Sequence, residues 1–350
     1  MKVLISGAGS IGLRHGRNVS ALDAGVVAFA DPDLMGRGAA AAEFGAPVFA
    51  SLAEGLAWGP DLVVVASPTH LHIAQATEAA LCGCHLFVEK PLGHSLEGAE
   101  TLGRLVRTRR LLTLVGCNMR FHPGPAKVKK LLTDQAIGKP MFARIHTGSY
   151  LPAWRPSSDY RKSYSAQIAK GGGCILDCVH EIDLARWYLG EIDNVSCIAG
   201  RLSSLEIETE DFAALTCRHQ NGAVSEIHLD YVQRTYERGC QIVGELGAIW
   251  WDYRAGTVRW FDATRESWTT FHQPPSWQVN DMYVAELRHF MRCLDGFEQP
   301  ALTVPEAVRV MKIVMAAKRS AESGQVASTA CNEHDYYAHT SPDELHPVAR

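Results

Sequence analysis

The chain has 350 residues, 47% of them hydrophobic and 21% charged, with a formal net charge of −4. These values suit a soluble globular protein of two domains and exclude a broad nucleic-acid or anionic-membrane footprint. No apolar run approaches the roughly 18 residues that a membrane-spanning helix needs, and ten cysteines over this length read as buried free thiols of a reducing, cytoplasmic compartment rather than a disulfide framework.

The opening Met1-Lys2-Val3-Leu4-Ile5-Ser6-Gly7 runs too quickly into glycines for a signal peptide and reads as a first strand over residues 3–6. Gly7-Ala8-Gly9-Ser10-Ile11-Gly12 follows, then an amphipathic helix to about Leu22. This is the G-x-G-x-x-G pattern in the context that gives it meaning, strand before and helix after. Gly7 permits the tight turn, Gly9 lets the backbone approach a pyrophosphate, and Gly12 allows close helix–strand packing. The helix start, with Ser10 and Ile11, presents N–H groups and partial positive charge to the phosphates. A second strand, 26–30, ends at Asp31. The pattern expects near this point the acid that meets the adenosine ribose hydroxyls. A carboxylate there repels a 2′-phosphate and favours NAD over NADP, although Arg37 is near enough to blur the preference. Asp31-Pro32-Asp33 is equally good turn chemistry.

Helix and strand continue to alternate: helix 33–44, strand 47–49, short helix 51–58, all-apolar strand 61–66. Ser67-Pro68-Thr69 then makes a strand-end turn able to sit beneath a cofactor, and His70 and His72 open a helix to Cys82. Cys82-Gly83-Cys84-His85 has the spacing of no usual zinc site, so no metal is expected. The strand 84–88 stops at Glu89-Lys90-Pro91, because proline lacks an N–H and holds Lys90 extended. In an open α/β sheet, ligands bind beyond the carboxyl ends of the strands. Lys90 therefore reads as a charge placed where cofactor and substrate meet, or as a solvated lysine paired with Glu89. A helix over 95–107 and a strand over 111–116 complete six strands of a doubly wound parallel sheet. That strand leads into Asn118-Met119-Arg120.

Pro123, Gly124 and Pro125 mark the crossing to a second half, with a helix over 126–133 and a strand within 137–150. The stretch Trp154 to Tyr164 is too polar for core and too aromatic for a plain linker. Trp154, Arg155, Tyr160, Arg161 and Tyr164 suit a sugar face or an anion, or else a packed surface loop. Gly171-Gly172-Gly173 opens an amphipathic helix to Leu189, on which Asp177 and His180 fall about 60° apart. A carboxylate touching an imidazole orients it for acid–base work; the same spacing also fits the wet side of any helix. The period then shortens to strands over 195–203, 212–220, 223–232, 238–243, 249–251 and 257–261, a large antiparallel sheet with one covered face. Its other face, with Cys197, Ile227 and Leu229, is expected to meet a second subunit. Helices 279–294 and 305–323 close this half, followed by a polar tail.

Four features in order resemble the glucose–fructose oxidoreductase / inositol dehydrogenase / rhizopine-catabolism (Gfo/Idh/MocA) family over roughly residues 1–325. They are the glycine loop, Ser67-Pro68 with His72, Glu89-Lys90-Pro91, and the glycine-led Asp177…His180 helix. The resemblance implies a Rossmann domain (1–122), a substrate-binding and oligomerisation α/β domain with a large open, mainly antiparallel sheet (123–328), and a tail (329–350). It further implies that Lys90 contacts the reacting hydroxyl and that His180 and Asp177 face the nicotinamide. Many members space the aspartate and histidine by four residues; here the spacing is three, as in members near sugar-acid and nucleotide-sugar pathways.

The resulting expectation is an NAD-dependent oxidoreductase for a secondary alcohol of a sugar-like molecule, assembled as a homodimer or homotetramer. Catalysis falls to Lys90, His180 and Asp177. Cofactor contacts fall to Gly7, Gly9, Ser10, Ile11, Gly12, Asp31, Ser67, Pro68, His72, Glu89 and Lys90. Substrate contacts add Asn118, Arg120, Trp154, Arg155, Tyr160, Arg161 and Tyr164. Redox-assisted glycoside cleavage and a non-catalytic NAD-binding regulator are the rival readings.

Overall fold

The computed structural model describes residues 1–156 and 158–330; the tail expected over 329–350 lies outside the described residues from 331 onward. The first half is a six-stranded parallel sheet: β1 (Lys2–Ser6), β2 (Val26–Ala30), β3 (Val48–Phe49), β4 (Leu62–Val65), β5 (His85–Glu89) and β6 (Thr113–Gly116). Its order is β3-β2-β1-β4-β5-β6. Leu62, Val63, Val64 and Val65 are all buried, as a strand covered on both faces requires. Helices α1 (Ser10–Ala21), α2 (Leu34–Phe44), α3 (Leu52–Ala57), α4 (His72–Leu81) and α5 (Ala99–Thr108) cover the faces. Strand order reverses between β1 and β4, which opens the crevice where such sheets bind ligands. The expected helix 95–107 begins only at Ala99, because Gly98 sits at φ 72° as its N-cap.

The second half starts with α6 (Pro123–Thr133), whose N-cap His122 accepts the Gly124 N–H, so the prolines lie inside the helix rather than before it. β7 (Pro140–Gly148) follows, then short 3₁₀ turns, α7 (Cys174–Asp177) and α8 (Val179–Leu189). The strands are β8 (Ile192–Gly200), β9 (Phe212–His219), β10 (Val224–Asp230), β11 (Glu237–Gly244), β12 (Gly247–Asp252), β13 (Thr257–Asp262) and β14 (Ser267–His272). Helices α9 (Val279–Leu294) and α10 (Val304–Ser323) and the two-residue β15 (Ala327–Ser328) end the described chain. The nine-stranded sheet runs β14-β13-β12-β11-β7-β10-β9-β8-β15. It is antiparallel except where β10 pairs with β7.

Two expectations change here. Cys197, Ile227 and Leu229 lie at 5% exposure or less, on the face covered by α8 and α10. The open face carries the opposite register: Arg144, Ser196, Ile198, Thr216, Glu226 and His228, with Ile198 74% exposed. Alternation defines two faces but not which of them the helices cover. The second change concerns α9, which packs onto the first sheet rather than closing the second half. Leu287 and Phe290 join the core of β1, β4 and β5, and the Phe290 ring meets Phe87 at 6.1 Å.

This packing buries Glu286, which is 1% exposed and accepts no hydrogen bond from any described group. Burial and the nearby Glu89 push its carboxyl well above the usual range, Arg120 opposes them, and Asp183 adds to the rise. The folded protein therefore holds a proton that the unfolded chain releases above about pH 4.5. The resulting cost is absent below that pH and grows as pH rises toward the folded value. Glu286→Gln, a neutral isostere, is expected to melt with the parent near pH 4.5 and increasingly above it from pH 6 to pH 8. A melting gap that closes with rising pH contradicts this.

Candidate active site

One cavity of about 940 Å³ lies between the carboxyl ends of β1, β4 and β5 and the loops of the second half. On the first-half wall the strand β1 gives way to Gly7, held at φ 101° with its N–H on the Ala30 carbonyl. A Cβ on Gly12 overlaps the Gly7 carbonyl, whereas one on Gly9 meets nothing within 4 Å. Gly12 therefore serves packing, outside the cavity lining, and Gly9 leaves open space for a ligand. The α1 N-cap, Gly9, offers no side-chain cap, so the first-turn N–H groups keep their capacity for an anion. Gly7, Gly9, Ser10, Ile11 and Asp31 all line the cavity. The Asp31 Oδ2 accepts the Ala8 N–H at 2.6 Å and Oδ1 accepts the Asp33 N–H at 2.8 Å. Arg37 turns away to donate to the Asp31 and Pro32 carbonyls. Asp31 is thus both the loop's brace and part of the wall.

Ser67, Pro68, His72, Glu89, Lys90 and Asn118 continue the lining. His72 stands between two backbone carbonyls, Pro91 at Nδ1 and Ser67 at Nε2, each at 2.8 Å. Burial outweighs both and lowers its pKa, and a neutral ring donates to only one of them at a time. Its part is to tie the turn after β4 to the end of β5. Glu89 pairs with His15 Nε2 at 2.7 Å. Burial raises its pKa, but the His15 bond and the charge of Lys90 more than offset this and hold it low. With Glu89 so engaged, Lys90 is free of it: Nζ donates instead to the backbone carbonyl of Asp177, at 2.7 Å, across the two halves. The Lys90–Glu89 side-chain pair allowed by the sequence is not formed.

On the opposite wall stand Trp154, Arg155, Tyr164, Asp177 and His180. The glycines before α7 are sterically required: a Cβ on Gly172 runs into the Tyr164 and Ser165 carbonyls, and one on Gly173 into the Glu210 carboxylate. The helix expected to carry both Asp177 and His180 is broken. Asp177 ends α7, Cys178 leaves helical geometry at ψ 31°, and His180 belongs to α8. The expected Asp177–His180 contact is not made. Asp177 Oδ2 accepts the Tyr231 hydroxyl at 2.6 Å, and Tyr164 lies beside the same carboxylate. The His180 Nδ1 is buried with no hydrogen-bond partner among the described residues. Burial, then Lys90, then Arg238 hold the imidazole well below its usual pKa, so the ring is neutral near pH 7.

Three residues expected at the substrate are elsewhere. Arg120 is buried in a two-point pair with Asp183, at 2.7 and 2.8 Å, and caps the Ala301 carbonyl. Arg161 is exposed and held by Asp159 and Glu206. Tyr160 turns its hydroxyl to the Glu206 N–H. In their place the cavity holds residues that sequence reasoning missed: Tyr150, Lys170, Arg234, Tyr236 and Arg238. Arg238 forms a buried pair with Glu181 at 2.8 Å. The signal available was position, since Tyr150 and Arg234 follow the ends of two apolar strands.

A sequence profile described as an oxidoreductase family with an NAD-binding Rossmann fold matches residues 1–117, and one described as a GFO/IDH/MocA C-terminal domain matches residues 126–250. Inositol 2-dehydrogenase 1 of Saccharopolyspora erythraea is 31% identical over 261 residues, which is 71% of this chain and 73% of that protein. The chain belongs to the Gfo/Idh/MocA oxidoreductase family. The scyllo-inositol 2-dehydrogenase (NAD(+)) of Bacillus subtilis is 29% identical over 279 residues, covering 76% of this chain and 77% of its own. Levoglucosan dehydrogenase in complex with NADH superposes with a TM-score of 0.86 at 21% identity, over 94% of this chain and 99% of that one. At that identity the likeness speaks for the fold. As a member of this family the protein is an oxidoreductase that uses NAD, and the open glycine loop and uncapped α1 suit that cofactor.

Proposed function

We propose that the protein moves a hydride between NAD and a secondary alcohol or ketone of a sugar, sugar acid, cyclitol or nucleotide sugar. One observation carries this reading: Lys90 of the nucleotide half and His180 of the other half line the same cavity, with Lys90 Nζ donating at 2.7 Å to the carbonyl of Asp177, three residues before His180. Bound NAD supplies the two-electron acceptor. A carbinol gives up hydride only as its hydroxyl proton leaves, so a base must reach that oxygen. The neutral imidazole of His180 takes this proton. Lys90 donates to the same oxygen and steadies developing alkoxide charge. The cations that depress the basicity of His180, Lys90 and Arg238, also favour that alkoxide. Asp177 orders the wall through Tyr231 and Tyr164 rather than orienting the imidazole. Gly7, Gly9, Ser10 and Ile11 cradle the pyrophosphate and Asp31 meets the adenosine ribose.

The test is NADH formation at 340 nm with NAD and a panel of sugars, sugar acids and cyclitols. NADH with at least one member supports the reading, and silence across the panel from protein that binds NAD counts against it. Loss of a glycoside without NADH accumulation transfers the assignment to redox-assisted cleavage. We further propose a cytoplasmic location and self-association through the open face of the nine-stranded sheet, where Ile198 and its neighbours are exposed.

A further inference from the structure

Among the described residues, the second-half wall of the cavity carries a surplus of positive charge with no protein partner. Arg155, Lys170 and Arg234 all line it, and none forms an ion pair with a described carboxylate. The buried arginines of this half, by contrast, are matched: Arg186 with Glu191 and Arg238 with Glu181, as is Arg120 with Asp183. The lining of this wall offers one carboxylate in return, Asp177, and Glu181 lies behind it. Asp177 takes the Tyr231 hydroxyl, and Glu181 is fully buried against Arg238. The glycine loop and α1 start lie on the opposite wall and serve the pyrophosphate, so these cations are not needed there.

Two of the three flank the reacting corner. The Arg234 guanidinium carbon lies over the Tyr150 ring, 3.7 Å from its centre. Tyr150 precedes Leu151, whose N–H bonds the Tyr231 carbonyl, and the Tyr231 hydroxyl holds Asp177. Arg155 faces the ring of Tyr164, the other neighbour of Asp177, at 6.0 Å. A guanidinium stacked on an aromatic ring keeps its in-plane N–H fork free and oriented, the geometry suited to two-point binding of a carboxylate or phosphate.

We infer that the substrate is anionic, and that Arg234, aided by Arg155, binds its acidic group in the same cavity whose Lys90 and His180 address the reacting carbon. The inference rests on the dehydrogenase reading above and narrows its substrate class to acidic sugars. An arginine fork favours the two coplanar oxygens of a carboxylate, and a phosphate presents the same chemistry, so the test carries both.

Full-length protein saturated with NAD is assayed with D-gluconate, D-glucuronate and D-galacturonate, with D-glucose 6-phosphate, and with neutral D-glucose, D-galactose and myo-inositol. Turnover is followed as NADH, and binding as the change in fluorescence of the NADH-loaded protein. At least one acidic sugar is expected to exceed its neutral parent tenfold or more in kcat/KM, with a KM that rises with added NaCl. Arg234→Leu is expected to lower that acid-to-neutral ratio at least tenfold, chiefly through KM, and Arg234→Lys to recover part of it. Equal or better use of the neutral parents, or a ratio unmoved in Arg234→Leu, overturns the anchor while leaving the dehydrogenase reading intact. If no compound yields NADH, the dehydrogenase reading fails, and the binding arm still decides the anchor. Acids that bind no tighter than their neutral parents, or no weaker to Arg234→Leu, sink it.

Discussion

Lys90→Met is expected to lower kcat by about 10²- to 10³-fold while NAD affinity changes by no more than a few-fold. The substitution keeps the length and apolar stem of the side chain and removes only the ammonium. That ammonium has no partner in Glu89, which is committed to His15; its hydrogen bond goes to the Asp177 carbonyl at the cavity wall. A donor aimed at developing oxyanion charge is worth about 3 kcal/mol in a water-poor site, and that energy appears in kcat because the charge exists only in the transition state. Cofactor affinity rests on other elements, namely the glycine loop, the α1 start and Asp31. Steady-state kinetics paired with an NAD titration separates the two effects. A variant within threefold of the parent in kcat removes Lys90 from the chemistry. A variant that turns over normally only at much higher NAD makes it a cofactor ligand instead. Melting temperatures of both proteins check that the lost bond between the halves is not read as lost catalysis.

The parts of this site that sequence displayed are those whose reasons are local. A glycine loop must follow a strand and open a helix, and a proline must end a strand, so Gly7 to Gly12 and Lys90-Pro91 were legible from their own neighbours. The alternation of elements was legible for the same reason. Arginines were not, because their function turns on which carboxylates the fold brings near. Arg120 sits four residues beyond β6, yet its partner Asp183 comes from α8, and Arg161 is claimed by Glu206 from a distant loop. Arg234 stays unpaired because no carboxylate among the described residues reaches it, and it stacks on Tyr150 instead. The break at Cys178 carried no glycine or proline to announce it, so helical phase was extended from Asp177 to His180 without cause. β14 was passed over because most of its residues, Ser267, Trp268, Thr269, Thr270 and His272, face solvent and show no apolar alternation.

His180→Gln separates the acid–base assignment from mere proximity. Glutamine fills a similar volume and hydrogen-bonds, but it holds no proton at any pH used for assay. A positioned base contributes about 10²- to 10⁴-fold, so a loss of that size is expected in kcat/KM. The pH profile carries the sharper signature. In the free protein, burial and the charges of Lys90 and Arg238 hold the imidazole well below its usual pKa. The parent should therefore keep its base in the active, neutral form down through pH 6.5, with kcat/KM falling only in distinctly more acid buffer. The variant, having no group to protonate there, should lose that fall altogether. Asp177→Asn supplies the contrast. Its carboxylate is bound to Tyr231, not to the imidazole, so it is expected to cost less and to leave the acid limb where it was. If Asp177→Asn moves that limb as far as His180→Gln does, the two side chains act as one unit and the separation seen in the fold does not persist in the working complex. A His180→Gln protein with the parent's rate and the parent's acid limb would assign the base to another residue.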